Sequence, residues 1–161
     1  MSKITNGQKA PTFSVNDNNG NLVKLSDFEG KNLVLYFYPK DDTPGCTKEA
    51  CSFRDSFSEF RNKNIEILGV SRDDEKSHKK FIEKYKLPFR LLTDNNGIIC
   101  KMYGVLTERS MYGRKYKSIN RTTFLIDKTG KIKHVFEKVK LEEHKRNFRT
   151  IQKLKKINEN L

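Results

Sequence analysis

The sequence has no tryptophan, three cysteines, four prolines and no long apolar run. Without a stretch of ~18 apolar residues, nothing in it is expected to span a membrane. The opening Met1-Ser2-Lys3-Ile4 carries no apolar signal region. Three cysteines fit a reducing compartment better than a secreted disulfide scaffold, so the expected location is cytoplasmic. No C-x-x-C pair occurs, and no second close pair accompanies Cys46 and Cys51; only Cys100 and the scattered His78, His134 and His144 remain. A zinc site needs about four ligands, so no metal is expected. No internal repeat or linker is visible, and 161 residues are enough for one core, which gives a single domain over residues 1–161.

Acidic residues are scarce relative to basic ones: 20 against 33, a formal charge of +13. Residues 138–161 hold eight basic residues against three glutamates, and residues 101–121 six against one. Such a surface can hold nucleic acid through counterion release. Lysine and asparagine are abundant throughout, however, and the C-terminal lysines lie opposite a stripe of Phe148, Ile151, Leu154 and Ile157. That is the pattern of a solvated helix face, so no specific nucleic-acid partner is expected.

The segment with most chemistry in it is Pro39-Lys40-Asp41-Asp42-Thr43-Pro44-Gly45-Cys46, followed by Cys51. It comes directly after the apolar run Leu33–Tyr38 and opens a stretch with Phe53, Phe57 and Phe60 at helical spacing. Thr43 reads as the N-cap and Pro44 as the first helical residue. Cys46 then falls in the first turn, where unpaired amides and the helix dipole favour an anion. A free thiol is only a few per cent ionised at pH 7, so full ionisation gains roughly 30-fold in reactive species. More would have to come from donors aimed at the developing charge, each worth about a hundredfold. Candidates are the Thr43 hydroxyl, the Gly45 and Cys46 amides, and a guanidinium from elsewhere. Gly45 leaves the approach to that backbone open. A buried structural thiol is the competing reading of Cys46.

Five residues separate Cys46 from Cys51. On an intact helix this gives a Cα separation of about 8–9 Å, beyond the ~7 Å that a disulfide spans. A bond between them requires the first turns to unwind, which fits a reversible bond better than a structural staple. Cys100 has apolar neighbours at helical spacing and reads as a buried, unreactive thiol.

Along the rest of the chain, Asn19-Gly20 marks a hairpin between 13–15 and 22–25. Leu33–Tyr38 and Ile65–Ser71 read as buried strands. The Cys46 helix runs to about Asn62. Asp73 or Asp74 caps a helix ending before Pro88, followed by a short strand at Phe89–Leu92 and a short helix at Asn96–Tyr103. A late hairpin joins Thr122–Ile126 to Ile132–Phe136, and a last helix starts near Glu142. This order predicts an α/β fold, a mixed central sheet flanked by helices. The Cys46 helix starts at the carboxyl end of a central strand, where open sheets place their sites.

With these residues in hand, the chain resembles the peroxiredoxins, in particular the bacterioferritin comigratory protein or PrxQ subgroup. Pro39, Thr43 and Cys46 match the family's P-x-x-x-T-x-x-C, and Thr43 to Cys51 match the subgroup's T-P-G-C-T-x-x-A/E-C. Gly7 to Phe13 resemble the family's opening, Met111 to Tyr116 a subgroup segment, and Arg121, before Phe124, the family's arginine. The resemblance implies a thioredoxin-like fold with an N-terminal β-hairpin. It implies a thiol peroxidase acting on hydrogen peroxide and small organic hydroperoxides, with Cys46 peroxidatic, Cys51 resolving, thioredoxin or glutaredoxin as reductant, no cofactor, and a monomer. It also puts the Arg121 guanidinium beside Cys46, where the residue alone would read as a charge at a strand edge. Glu49 would orient polar neighbours or be a solvated helix-surface residue. Pro39 and Tyr38 would shield the sulfur or simply pack the strand end. A glutathione peroxidase-like protein on the same fold would need a tryptophan that this chain lacks.

Overall fold

The computed structural model describes residues 4–137. The sheet is built around β3 (Asn32–Phe37), all six of whose residues are buried. On one side β4 (Ile65–Ser71) pairs parallel with β3 and β5 (Arg90–Thr93) parallel with β4; on the other β8 (Thr122–Ile126) pairs antiparallel with β3 and β9 (Ile132–Glu137) antiparallel with β8, in the order β5-β4-β3-β8-β9. Residues of β3 alternate between two cores. Leu33, Leu35 and Phe37 join Leu68, Val70, Phe124, Cys100 and Tyr103 on one face. Val34 and Tyr36 join Ile67, Leu91, Leu125, Cys46, Ala50 and Phe53 on the other. A strand covered on both faces must be apolar throughout, as the run from Leu33 is.

Short β1 (Ser14–Asn16) and β2 (Leu22–Lys24) form the expected N-terminal hairpin, with Gly20 at φ 78° in its turn. Leu25 is not strand: Leu25–Phe28 is one 3-10 turn, closed by the Asp27 carboxylate accepting from the Lys24 amide at 2.9 Å. The helix expected to reach Asn62 is two, α1 (Pro44–Asp55) and α2 (Phe57–Asn62), broken at Ser56. The break brings Phe60 against Phe53, ring centroids 6.3 Å apart, on the sheet face that α1 covers. Asp74, not Asp73, caps α3 (Glu75–Tyr85), accepting from the Ser77 amide at 2.8 Å. Lys86 in the left-handed region ends it. The helix expected from Asn96 is shorter, α4 (Ile98–Met102), because Asn96 and Asp94 spend their side chains on its first amides.

One hairpin was not expected. Strands β6 (Leu106–Met111) and β7 (Arg114–Ile119) pair through a two-residue turn, Tyr112-Gly113, with φ of 52° and 76°. Most of its residues are partly or fully exposed, so no apolar alternation marks it. The only local signal is the tight turn itself. The last helix expected near Glu142 lies outside the described residues. No helix among the described residues is long and apolar enough to cross a membrane.

Candidate active site

The Tyr38 amide still bonds the Val70 carbonyl at 3.1 Å, but β3 has ended and the chain turns through Pro39–Asp42 into α1. Thr43 is the N-cap residue, Pro44 opens the helix, and the first intrahelical bond runs from the Thr47 amide to the Thr43 carbonyl at 2.8 Å. The amides of Gly45 and Cys46 therefore precede the helix's own bonding ladder. Thr43 departs from the expected cap: its hydroxyl makes no cap bond and donates to the Lys40 carbonyl at 2.8 Å. In that position the hydroxyl faces the Cys46 sulfur.

Cys46 is 1% exposed. Burial pushes its thiol above the ordinary value, because a thiolate loses its water. The Arg121 guanidinium, the Thr43 hydroxyl and the Lys40 backbone push the other way, and the Glu49 carboxylate adds to the rise. The net direction is upward, so the lowered thiol expected from helix position is not what the closed pocket gives. Position in a helix is a local property; burial is a tertiary one, and here it is the largest effect. The first-turn amides act in the same sense as Arg121.

Arg121, immediately before β8, is brought from far along the chain to this pocket. Its Nη1 lies 3.6 Å from Oε1 of Glu49. Glu49 is 1% exposed, so the solvated alternative for it is excluded. The arginine thus stands between a carboxylate and a sulfur, drawing on one and favouring ionisation of the other.

Cys51 is half-buried on the same unbroken helix, with burial first, opposed by Arg54, holding its thiol above the ordinary value. Pro39 and Gly45 are half-buried at the mouth of the turn. Cys100 is fully buried in the core on the opposite sheet face from Cys46, and burial and Asp94 push its thiol far up.

Tyr38 is buried as expected of a strand end, but its hydroxyl is turned to a polar cluster that sequence reading missed. It donates to Oδ1 of Asp41 at 2.6 Å. Burial, then the Asp41 charge, push this phenol well above its usual range, so it stays a donor. Oδ2 of Asp41 accepts from the Ser77 hydroxyl at 2.8 Å and lies 2.7 Å from Nδ1 of His78. The Asp41 amide donates to Asp73 at 2.9 Å, and the Ser71 hydroxyl donates to the same carboxylate oxygen at 2.6 Å. Asp41, Asp73 and His78 bring ligating atoms within 4.8 Å of one another, without a cysteine, and both Asp41 oxygens and Oδ2 of Asp73 already accept from these donors. Next door, Asp42, at φ 55°, takes bonds from Lys84 at 2.8 Å and the Tyr85 hydroxyl at 2.7 Å. A signal for His78 existed: it continues the stripe of Phe81, Ile82 and Tyr85 on α3, an apolar face on which a histidine has to be satisfied internally.

The AhpC/TSA family model matches residues 6–135. The peroxiredoxin Bcp of Bacillus subtilis is 48% identical over 138 residues, covering 86% of this chain and 88% of that protein. The structure of PrxQ from Xylella fastidiosa superposes with a TM-score of 0.86 at 35% identity, covering 97% of this chain and 98% of that one. The bacterioferritin comigratory protein of Xanthomonas campestris, described for its alkyl peroxide reduction activity, gives 0.84 at 34% identity, covering 96% and 99%.

Proposed function

Since this chain belongs to the AhpC/TSA family, among its Bcp/PrxQ peroxiredoxins, it is a thiol-dependent peroxidase of thioredoxin-like fold, and we propose that Cys46 is the sulfur that reacts. The supporting observation is that the Thr43 hydroxyl, the Lys40 backbone and the Arg121 guanidinium all act on this one sulfur. The Arg121 guanidinium and the Lys40 backbone also suit the oxygens of a bound hydroperoxide, whose leaving oxygen gathers negative charge as the O–O bond breaks, while the Thr43 hydroxyl gives its one hydrogen to the Lys40 carbonyl.

The reaction then runs in three balanced steps. Cys46 sulfur attacks one peroxide oxygen, the O–O bond breaks, and the thiol's proton ends on the departing oxygen as water or alcohol. Cys46 is left as a sulfenic acid. The Cys51 thiol displaces hydroxide from that sulfur, its proton joining the hydroxide as water, and the Cys46–Cys51 disulfide forms. A dithiol reductant, thioredoxin or glutaredoxin, returns both thiols by exchange and leaves oxidised. Hydrogen peroxide and small organic hydroperoxides are the substrates; the activity named for the Xanthomonas relative supports the organic class. Pro39 and Gly45 border the opening, Tyr38 and Glu49 fix its walls, and the protein acts as a monomer.

The test is peroxide consumption driven by thioredoxin. Cys46→Ser abolishes it. Cys51→Ser consumes one equivalent of peroxide and then stalls until an external thiol is added. Full turnover by Cys46→Ser would overturn the assignment, and unimpaired thioredoxin-driven turnover by Cys51→Ser would remove Cys51 from it.

A further inference from the structure

The loop that carries the site is fastened to α3 at two consecutive residues, and one fastening has an unusual proton count. Nε2 of His78 lies 2.9 Å from the Leu92 carbonyl. A carbonyl only accepts, so Nε2 carries a hydrogen. Nδ1 of the same ring lies 2.7 Å from Oδ2 of Asp41. That carboxylate already accepts from Ser77 and, at its other oxygen, from Tyr38. An ionised carboxylate also only accepts, so the 2.7 Å contact holds a second proton, shared by Nδ1 and Oδ2. Without it, two lone pairs would face each other in a site where His78 is 0% exposed. The ring is a bridge donating at both ends, from β5 to the loop.

We propose that His78 is a positioning residue for the reacting thiol. By holding Asp41 it fixes the neighbouring Lys40 backbone and Thr43 hydroxyl at the Cys46 sulfur. The geometry gives each link. Asp41 is pinned at its carboxylate by His78, Ser77 and Tyr38, and at its amide by Asp73. Lys40, one residue earlier, contributes its backbone to Cys46 and accepts the Thr43 hydroxyl. The clamp acts on the approach to the sulfur without touching it. Tyr38, Asp41 and Asp73 are the titratable groups that meet His78 from the loop and from the β4–α3 turn; Ser77 stands beside it on α3.

The inference rests on Cys46 being the reacting sulfur, which Cys46→Ser tests separately. The experiment follows the first oxidation step alone, mixing reduced protein with a single equivalent of hydrogen peroxide. His78→Phe fills the volume and removes both donors; the first-step rate constant is expected to fall by roughly 10- to 100-fold, the penalty for displacing a reacting group by about an ångström. Asp41→Asn is the discriminating partner. Its amide N–H donates to a neutral His78 that keeps its Nε2 hydrogen on Leu92, so the bridge is rebuilt with one proton fewer and the rate returns to within about threefold of wild type. Asp41→Ala rebuilds nothing and stays slow, and if His78→Phe does not fold, Asp41→Ala against Asp41→Asn carries the same test. A downfield N–H resonance from the shared proton is expected in wild type and absent from Asp41→Asn. Wild-type rates in His78→Phe or Asp41→Ala with Cys46 still essential, or an Asp41→Asn protein as slow as Asp41→Ala, would overturn the inference while leaving the peroxidase reading intact.

Discussion

If Cys51 resolves the sulfenic acid, the first two turns of α1 must open on every cycle, and the ease of opening sets the rate of resolution. Cys46 and Cys51 lie on one unbroken helix, and closing their Cα distance from about 8–9 Å to disulfide range requires residues 44–51 to leave it. Lys48 sits inside that segment with its side chain exposed. It is helical when closed and irregular when open, so a change in its helix propensity enters the opening equilibrium in full. The informative comparison is Lys48→Gly against Lys48→Ala. Both remove the lysine's charge and whatever its side chain contributes, which leaves only the backbone difference, about 1 kcal/mol in favour of alanine. At 1.4 kcal/mol per tenfold, the glycine variant opens roughly fivefold more readily. Resolution should be about fivefold faster, and the fraction of Cys46 lost to sulfinic acid under excess peroxide correspondingly smaller. The first oxidation step should be alike in the two variants. The chain has no tryptophan, so the measurement is quenched-flow trapping, with sulfenic acid and disulfide counted by mass spectrometry. Equal resolution rates, or faster resolution in the alanine variant, would refute the requirement that this helix unwinds.

Two further outcomes follow from the same site and its supporting sheet. Arg121 favours the Cys46 thiolate and Glu49 opposes it, so the two charge-removing variants should move the thiol in opposite directions. In Arg121→Gln the pH at which Cys46 becomes alkylated rises and peroxide reactivity falls by roughly a hundredfold, whereas in Glu49→Gln that pH falls; shifts of the same sign would sink the electrostatic account. Gly69 of β4 has no room for a methyl group: a Cβ there would stand 2.7 Å from Leu91 Cδ2 and 2.9 Å from the Tyr36 ring. Gly69→Ala should therefore cost about 1–3 kcal/mol in urea unfolding, with an unchanged midpoint counting against the packing shown.

Much of this architecture can be read from local pattern. β3 and β4 announce themselves as two-sided apolar strands, and the Thr43-Pro44 start of α1 is written in cap chemistry. The break at Ser56 and the β6–β7 hairpin are less visible. The first depends on where Phe60 finds its partner, and the second buries too little to leave an apolar rhythm. Glu49 shows the same limit at the site, since nothing in its helical spacing distinguishes a solvated carboxylate from one buried against Arg121. Asp41 lay within the motif, and His78 read only as one of three scattered histidines. Their pairing at 2.7 Å joins segments that no spacing rule connects.

The buried strands β3 and β4, the placing of a cysteine in a helix's first turn at a strand's end, and the motifs that mark the family were determined by sequence alone, because each depends on neighbours within a few residues. The direction in which the Cys46 thiol moves, the arrival of Arg121 and the bracing of the site loop by α3 were decided only in three dimensions. Desolvation and charge act through space, and they belong to whichever side chains the folded sheet brings within a few ångströms of that sulfur.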